Sequence, residues 1–402
     1  MKRQKSLPPF KRSHLMHKTI GLGTFEATQL TYELVSQVLD SGRISYGPLS
    51  KKLESDFANL HGCDYGVLSN SGTSSLQVAL QALKELHRWE DWTKVIVPAV
   101  TFVATVNIVF HNKMWPVLVD VDPATYNMDI NTLLPQDKDA KCIIPVHLFG
   151  QPANMTEIGD LAARHNMLII EDSCETMFAT HGRRSVGSIG DIGCFSFYMA
   201  HLITAGVGGV SITNNPDYAA KMRSLVNHGR DGIYISIDDD DVANKEEVMG
   251  RRFNFESVGH SFRVTELEAA IALAQLETWE AMIAKRRANA LVLDRALEDV
   301  LEVVTPYVAP GNTHSYMMYP IIMNFGDKWE VCAHLENNGV ETREMLPITN
   351  QPVYRNLMQL QETVFPVANL INDTGFYVGC HQGLEEDDML RIADLIKEYF
   401  DK

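Results

Sequence analysis

Polar residues of three kinds stand at the ends of apolar, β-branched runs in the first half of the chain. Asn70-Ser71-Gly72-Thr73 follows one such run and opens a helical pattern, so its backbone N–H groups suit a phosphate. Asp172 follows a second run, and Ser196 and His201 follow a third. A Ser-Gly-Thr cap is weak evidence alone, because most such caps only begin helices. Ligands of open α/β sheets collect beyond the carboxyl ends of the strands, so the three groups together predict an anion site with a carboxylate and a base.

Seven short runs between residues 65 and 213 alternate with helical patterns, which predicts an α/β domain around a mainly parallel sheet. The clearest helix starts near Thr73, where Leu76, Leu80 and Leu83 recur at helical spacing. The other helices of this region are predicted at Ala104–Phe110, Met155–His165 and Asp217–Asn227. The strands are predicted at Tyr65–Ser69, Val95–Pro98, Pro116–Val121, Cys142–Val146, Leu168–Glu171, Gly193–Phe197 and Gly209–Thr213.

The C-terminal third has a different pattern. The segment from Thr265 to about Val300 is periodic and holds no Pro or Gly, which predicts one long helix leaving the large domain. A predicted strand at Ser315–Met323 and predicted helices at Trp329–Asn338 and Glu386–Phe400 follow it. We therefore expect a large α/β domain with an N-terminal arm over residues 1–275 and a small α+β domain over residues 276–402.

The composition is that of an ordinary soluble protein. With 402 residues, 45% of them hydrophobic, the chain can bury a large core. A net charge of -16 argues against nucleic-acid binding. The longest apolar stretch, Val95–Phe110, is too short to cross a bilayer. The basic N-terminal patch precedes no apolar signal run, so we expect a cytoplasmic protein without nucleic-acid or membrane partners.

No metal site is predicted. The six cysteines show neither a CxxC pair nor metal-ligand spacing, so buried reduced thiols are expected. The acidic run Asp238–Asp241, continued by Glu246 and Glu247, lacks the glycine and the spacing of a calcium loop. A solvated insertion is the better interpretation of this run.

Eight stretches between Gly47 and Leu276 have a characteristic order and spacing. With them the chain resembles the DegT-type family of nucleotide-sugar aminotransferases and dehydratases. The resemblance implies a pyridoxal-phosphate (PLP) enzyme of fold type I, the aspartate-aminotransferase-like α/β fold, with a central seven-stranded, mainly parallel sheet and a smaller C-terminal α+β domain. The stretches are Asn70–Thr73, Pro98–Thr105, Pro116–Asp122, Pro145–Gly150, Glu171–Ser173, Gly187–Tyr198, Asn227–Gly229 and Arg263–Ala270.

The resemblance assigns the cofactor phosphate to residues from several stretches. It implies that Gly72 and Thr73 hold the phosphate through backbone and hydroxyl donors, joined by the Ser196 hydroxyl. It also implies that Asn227 reaches the phosphate of the other subunit's cofactor. The expected assembly is therefore a homodimer with shared active sites.

Three further residues are expected around the cofactor ring. The resemblance implies that Asp172 pairs with the pyridine nitrogen, where a carboxylate keeps the nitrogen protonated and the ring an electron sink. Phe102 resembles the aromatic residue that stacks on the ring. Glu175 stands where the family usually has glutamine, near the ring hydroxyl, and this departure resembles the dehydratase branch.

His201 is the main departure from the family. It falls where the family keeps its Schiff-base lysine, and imidazole cannot make that covalent link. A branch with histidine here consists of 3-dehydratases of nucleotide-linked 4-keto-6-deoxy sugars. The resemblance thus implies PLP or pyridoxamine phosphate bound without a covalent lysine, His201 as acid and base, a nucleotide-sugar substrate and glutamate as amino donor.

Two other functions stay open at this point. The chain could be a sugar aminotransferase of the same family, with His201 moving the proton, or a cofactor-binding or regulatory homologue that has lost catalysis. Retention of Asp172, Ser196 and Thr73 together argues against complete loss. A related branch adds an iron–sulfur cluster, but four converging thiolates are needed and the cysteines are scattered.

Weaker candidates lie nearby. His147, at a strand end, could approach the ring or substrate, or could equally be a buried, hydrogen-bonded histidine. Four arginines could meet a substrate diphosphate, because guanidinium groups match phosphate oxygens. They are Arg230, Arg251, Arg252 and Arg263.

Overall fold

The centre of the protein is a seven-stranded sheet, seen in a computed structural model that describes residues 19–230, 250, 253–360 and 364–401. The basic N-terminal patch, the acidic run at 238–247, and Arg251 and Arg252 lie outside the described residues. The strands of this sheet and of a small hairpin (β6 and β7) are, in chain order, β1 (Tyr65–Ser69), β2 (Lys94–Pro98), β3 (Trp115–Val119), β4 (Cys142–Ile143), β5 (Leu168–Asp172), β6 (Thr180–His181), β7 (Arg184–Ser185), β8 (Ile192–Ser196) and β9 (Gly209–Thr213).

The strand order is β1-β9-β8-β5-β4-β2-β3, and β9 alone runs antiparallel to the other six. The predicted seven-stranded, mainly parallel sheet is therefore confirmed. The largest difference is at β4, which was predicted to reach Val146 and ends at Ile143. Pro145 lies in between and has no N–H to donate to a neighbouring strand.

The connection between β8 and β9, residues 197–208, is named the His201 loop. Ser196 pairs with Gly209 where the two strands meet. Because β9 returns antiparallel beside β8, this loop turns over the carboxyl edge of the sheet, where β5 also ends. Chain reversal at Ser196 thus decides where His201 lies.

Helices cover the sheet, and most residues of α3 are buried. Its Leu76, Leu80 and Leu83 are buried at the spacing that predicted the helix. It packs on β8, β9 and two other helices, α4 and α6. The first six helices are α1 (Gln29–Ser41), α2 (Pro48–Leu60), α3 (Gly72–Leu86), α4 (Val103–His111), α5 (Met155–His165) and α6 (Pro216–Val226).

The prediction of one long helix from Thr265 to about Val300 is wrong. The structure has two helices, α7 (Glu266–Leu276) and α8 (Trp279–Leu297). At the break, the N–H and hydroxyl of Thr278 both donate to the Gln275 carbonyl, at 3.2 and 3.3 Å. The ring of Trp279 stacks on Phe178, with centroids 4.5 Å apart. Tertiary packing therefore interrupts a segment whose composition permits a continuous helix.

The remaining chain forms a smaller, strand-rich part with a four-stranded antiparallel sheet of order β10-β11-β13-β12. The predicted domain boundary at residue 275 stays a prediction. Within the described ranges, no helix combines the length and apolar character needed to span a bilayer. The elements are β10 (Val303–Val304), β11 (Tyr319–Met323), α9 (Lys328–Asn337), β12 (Thr342–Glu344), α10 (Pro352–Met358), α11 (Pro366–Thr374), β13 (Gly375–Val378) and α12 (Glu386–Phe400).

Candidate active site

The turn between β1 and α3 is a capped helix start of the kind that suits an anion. Ser71 Oγ accepts the Ser74 N–H at 3.0 Å, and Ser74 Oγ donates to Asn70 Oδ1 at 2.7 Å. Thr73 is exposed between the buried Gly72 and Ser74. The N–H groups of the first turn lie at the positive end of the helix dipole, and with the Thr73 hydroxyl they form a suitable phosphate site.

Gly72 lets this helix start approach the end of β8. A Cβ at Gly72 would lie 2.6 Å from Ser196 Cβ and 2.7 Å from Cys174 Sγ. Gly209 makes a similar approach, since a Cβ there would lie 2.5 Å from the carbonyl carbon of Ser71. Gly72 and Ser196, which the sequence places at distant strand ends, are therefore in direct contact.

We expect Gly72→Ala to destabilise the protein by about 1–3 kcal/mol, because the added methyl group overpacks a site without free space. The same shift separates α3 from Ser196, so affinity for inorganic phosphate and for PLP should fall. Denaturant unfolding and titration calorimetry measure the two effects.

Gly159→Ala is the matched control. Gly159 lies inside α5, and a Cβ there meets no atom within 4 Å. Alanine should therefore stabilise this helix by up to about 1 kcal/mol without changing phosphate affinity. Wild-type stability and affinity in Gly72→Ala would contradict the close approach.

Asp172, the last residue of β5, is buried. Its Oδ2 accepts the Thr105 hydroxyl at 2.8 Å, and its Oδ1 accepts the Cys174 N–H at 3.2 Å. Burial raises the pKa of Asp172, and the hydrogen bonds oppose the rise. A cation against this carboxyl would offset the burial penalty, which is what a protonated ring nitrogen supplies.

Phe102 is 54% exposed although it is large and apolar. It precedes α4 directly, one turn before the Thr105 that holds Asp172. An exposed aromatic side chain at the start of the helix that orients a buried carboxylate is suited to a flat, charged ring. The stacking role of Phe102 stays a prediction.

Glu175 lies close to Asp172 and shares its environment. Its Oε2 accepts the Phe149 N–H at 3.1 Å. Burial raises the pKa of Glu175 to about 7, the Phe149 hydrogen bond opposes the rise, and repulsion from Asp172 adds to it. Near neutral pH this carboxyl is therefore able to hold or release a proton.

Glu175→Gln should stabilise the cofactor-free protein at a pH above about 7 and have little effect near the ordinary pKa of 4.5. A carboxyl with a raised native pKa contributes stability below its unfolded pKa and loses it as the pH rises through about 7. Glutamine has no such pH dependence. Thermal unfolding at both pH values measures the difference, with the exposed Glu33→Gln on α1 as control; equal effects at both pH values would contradict the shift.

His201 lies in the loop that leaves Ser196. Its backbone N–H donates to the Tyr198 carbonyl at 2.9 Å, and the side-chain rings of His201 and Tyr198 pack edge to face with centroids 5.6 Å apart. His201 Nδ1 lies 3.3 Å from the Ser196 carbonyl oxygen. Because a carbonyl can only accept, Nδ1 carries the proton and the neutral ring keeps its lone pair on Nε2.

The surroundings keep His201 neutral. Burial is the main cause that lowers the pKa of His201 to about 4; the Ser196 carbonyl opposes the fall, and the charge of Arg286 contributes to it. The Nε2 lone pair is therefore present throughout the neutral pH range. The ring is therefore in the form that can accept a proton.

Direct contacts link most of the predicted site. Ser196 touches Gly72 and bonds through its carbonyl to His201, while Cys174 touches Gly72 and donates its N–H to Asp172. A phosphate site, a carboxylate and a base thus lie together at the carboxyl edge of the sheet. The functional roles of these residues stay predictions.

His147 does not have a free ring nitrogen. Its Nδ1 accepts the Ala153 N–H at 3.0 Å, and its Nε2 lies 2.9 Å from Glu171 Oε2. The ring is fully buried. Of the two interpretations left open by the sequence, the structure favours the buried, hydrogen-bonded histidine.

Asn227 and two of the four candidate arginines are described. Asn227 Oδ1 accepts the Arg263 Nη1 hydrogen bond at 2.8 Å. Arg230 lies over the rings of Phe253 and Phe255, at 5.3 and 5.4 Å from their centroids. The expected contact of Asn227 with a partner's cofactor stays a prediction.

Sequence reasoning missed Thr101 and Thr105. Both are buried, and their hydroxyl oxygens lie 2.7 Å apart. Since an ionised Asp172 can only accept, Thr105 donates to it and accepts from Thr101. Two hydroxyl residues four positions apart in an otherwise apolar stretch were the available signal.

Residues 26–397 match the model of the DegT/DnrJ/EryC1/StrS aminotransferase family. GDP-perosamine synthase of Caulobacter vibrioides is 34% identical over 370 residues, which cover 90% of this chain and 92% of that protein. The dTDP-4-dehydro-2,6-dideoxy-D-glucose 3-dehydratase of Saccharopolyspora spinosa is 28% identical over 379 residues, covering 90% and 82%. The solved structure of E. coli GDP-4-keto-6-deoxy-D-mannose-3-dehydratase with bound hydrated PLP aligns with a TM-score of 0.83 at 24% identity, covering 95% of this chain and all of that one. The predicted aminotransferase-like fold is therefore confirmed.

Proposed function

The chain belongs to the DegT/DnrJ/EryC1/StrS aminotransferase family, and we propose that it is a PLP-dependent enzyme that removes the 3-hydroxyl group of a nucleotide-linked 4-keto sugar. The observation that carries this proposal is His201. It stands where the family's Schiff-base lysine is expected, and its neutral ring presents a lone pair on Nε2. The chain therefore keeps a base at this position without the primary amine needed for a covalent link.

The described residues fit the cofactor. Gly72 lets the start of α3 pack against Ser196, where any Cβ would clash, and the exposed Thr73 stands beside it. Asp172 is a buried carboxyl suited to a cationic ring nitrogen, and Phe102 offers an open aromatic face. In this proposal Gly72, Thr73 and Ser196 hold the phosphate, with Asn227 of a second copy, while Asp172, Phe102 and Glu175 hold the ring.

When bound, PLP or its amine form supplies an electron sink that makes loss of a neighbouring proton and hydroxyl feasible. His201 Nε2 accepts the proton and returns it later, at neutral pH. Asp172 keeps the ring nitrogen protonated, and Thr105 keeps the Asp172 carboxylate oriented. Glutamate is the proposed donor that restores the amine form after each turnover.

A sugar aminotransferase is the second candidate. The relative from Caulobacter vibrioides, at 34% identity, is a GDP-perosamine synthase, and its similarity favours amino transfer. The relative from Saccharopolyspora spinosa, named a 3-dehydratase, favours dehydration at 28% identity. The absence of a lysine at position 201 supports dehydration over amino transfer.

We further infer a cytoplasmic homodimer with shared active sites. Three apolar side chains of the His201 loop are exposed in the single chain, which suits burial against a second copy. Light scattering measures the assembly. The residues are Tyr198, Met199 and Val207.

The test of function is product analysis. The protein is incubated with glutamate, PLP and a panel of nucleotide-linked 4-keto sugars, and the masses of the sugar products are measured by mass spectrometry. Loss of one oxygen from the sugar is the expected result; gain of an amine supports amino transfer instead, and no turnover favours a binding role. Borohydride treatment should label no lysine, and a labelled lysine would contradict non-covalent binding.

A further inference from the structure

We propose that Arg286 is a positioning residue for His201, with a buried guanidinium that ties the His201 loop to the segment before β11. The inference rests on the proposed function of His201. Arg286 projects from α8 and is fully buried. Its Nη2 donates to the His201 carbonyl at 3.4 Å, and its Nη1 donates to the carbonyls of Tyr316 and Met317 at 3.1 and 2.9 Å. Its Nε donates to Gln382 Oε1 at 3.1 Å.

All four acceptors of Arg286 are uncharged. Burial lowers the pKa of Arg286 to about 10, and no carboxylate of the described residues forms an ion pair with it. A buried charge is costly, and replacing one by neutral residues of similar volume is often neutral or stabilising. A contribution to stability therefore does not explain the guanidinium well. Its planar group of donors is suited instead to holding three backbone carbonyls, one from the His201 loop and two from the segment before β11.

Hydrogen bonds also connect the Arg286 contacts to Glu175, the second titratable side chain of the site. Met317 N–H donates to the Phe149 carbonyl at 3.1 Å, and Phe149 N–H donates to Glu175 Oε2 at 3.1 Å. Arg286 thus lies at the junction of two chains of hydrogen bonds, one to His201 and one to Glu175. A shift of the guanidinium would displace the base relative to the ring site.

Arg286 affects His201 through its positive charge as well as through its hydrogen bond to the His201 carbonyl. Among the described residues, the titratable or charged groups that face His201 are Arg286 from α8 and Tyr198 from its own loop, while β8 presents the Ser196 carbonyl. A positive charge disfavours protonation of the imidazole. Arg286 therefore helps to keep the Nε2 lone pair available.

Three variants test the proposal. Arg286→Gln removes both the positive charge and the planar set of guanidinium donors. Arg286→Lys keeps the charge but not the planar set of donors. Arg287→Gln is the control. Arg287 is the next residue of α8, is exposed, and donates to the His314 carbonyl at 2.8 Å. Three quantities are measured. They are kcat and KM for the nucleotide-linked 4-keto sugar, and the His201 pKa from NMR of ¹³C-histidine protein, with the His201 signal assigned by its loss in His201→Asn.

Arg286→Gln should lower kcat by about 10–100-fold with a smaller change in KM, since a displacement of about 1 Å can cost that much. The His201 pKa should rise. Arg286→Lys should keep that pKa near the wild-type value while kcat stays reduced, and Arg287→Gln should change none of these quantities.

An unchanged kcat and an unchanged His201 pKa in folded Arg286→Gln would overturn the proposal, as would a loss of kcat that merely follows the folded fraction. If Arg286→Gln does not fold, a wild-type kcat in Arg286→Lys overturns it. The NMR measurement is made on cofactor-free protein, so it stands apart from the proposed function. Full turnover in His201→Asn would contradict the role of His201 as base. The NMR measurement would still show whether Arg286 affects the His201 pKa.

Discussion

Replacing His201 by asparagine should lower the turnover of the nucleotide-linked 4-keto sugar by about 10²–10⁴-fold, the usual contribution of a positioned acid–base group. The asparagine amide can still donate to the Ser196 carbonyl that His201 Nδ1 contacts, so the loop should keep its conformation. It has no nitrogen lone pair that takes a proton near neutral pH. The measurement is kcat from the mass-resolved product, together with cofactor affinity, which should stay close to the wild-type value.

His111→Asn is the control, because His111 is an exposed histidine of α4. It should retain wild-type turnover. Full activity in His201→Asn would remove His201 from the chemistry. His201→Lys adds an independent check, since a lysine at this position should form a borohydride-reducible link to the cofactor that wild-type protein lacks.

The pH dependence of kcat/KM tests the environment of His201, because this ratio reports ionisations of the free enzyme. The pKa of His201 is lowered to about 4, so the neutral form that acts as base is lost only as the pH falls through that value. The ratio should not show the loss near the ordinary pKa of 6.5 that an exposed histidine would cause. A loss near the ordinary value that disappears in His201→Asn would contradict the buried environment.

Asp172→Asn should lower turnover by roughly a hundred- to a few-thousand-fold, equivalent to the about 3–5 kcal/mol that breaking a buried charge pair costs. Asparagine matches aspartate in size and can accept the Thr105 hydroxyl at one oxygen. It cannot keep the ring nitrogen protonated, so the cofactor loses its strength as an electron sink. The ¹⁵N NMR shift of ring-labelled PLP bound to the variant reports the protonation state directly.

Asp294→Asn is the matched control for Asp172→Asn. Burial also raises the pKa of Asp294, which accepts the Tyr319 hydroxyl at 2.6 Å in the C-terminal part of the chain. This variant should leave turnover and the ¹⁵N shift unchanged. A protonated ring nitrogen and full turnover in Asp172→Asn would contradict the pairing.

Much of the architecture was predictable because the signals are local. Alternation of β-branched runs with helical periodicity identified all seven strands of the main sheet, and leucine spacing identified α3. The strand-end rule led to Thr73, Asp172 and Ser196 before any fold was known. The substitution at His201 was likewise visible from the motif alone.

The contacts within the site depended on the order of strands, which local patterns do not determine. β1 and β8 are separated by other strands in the chain but lie on either side of β9, and this arrangement lets Gly72 reach Ser196. At the break between α7 and α8, Trp279 stacks on Phe178 from a distant segment, a contact that local patterns do not reveal.

The electrostatic properties of the site were also decided by tertiary structure. Partial burial beside Asp172 raises the pKa of Glu175 to about 7, and partial burial near the charge of Arg286 lowers the pKa of His201 and keeps its ring neutral. Sequence by itself determined which chemical groups the site contains and at which edge of the sheet they stand. Their protonation and mutual orientation required the packed fold, because hydration and distance between groups far apart in the chain exist only there.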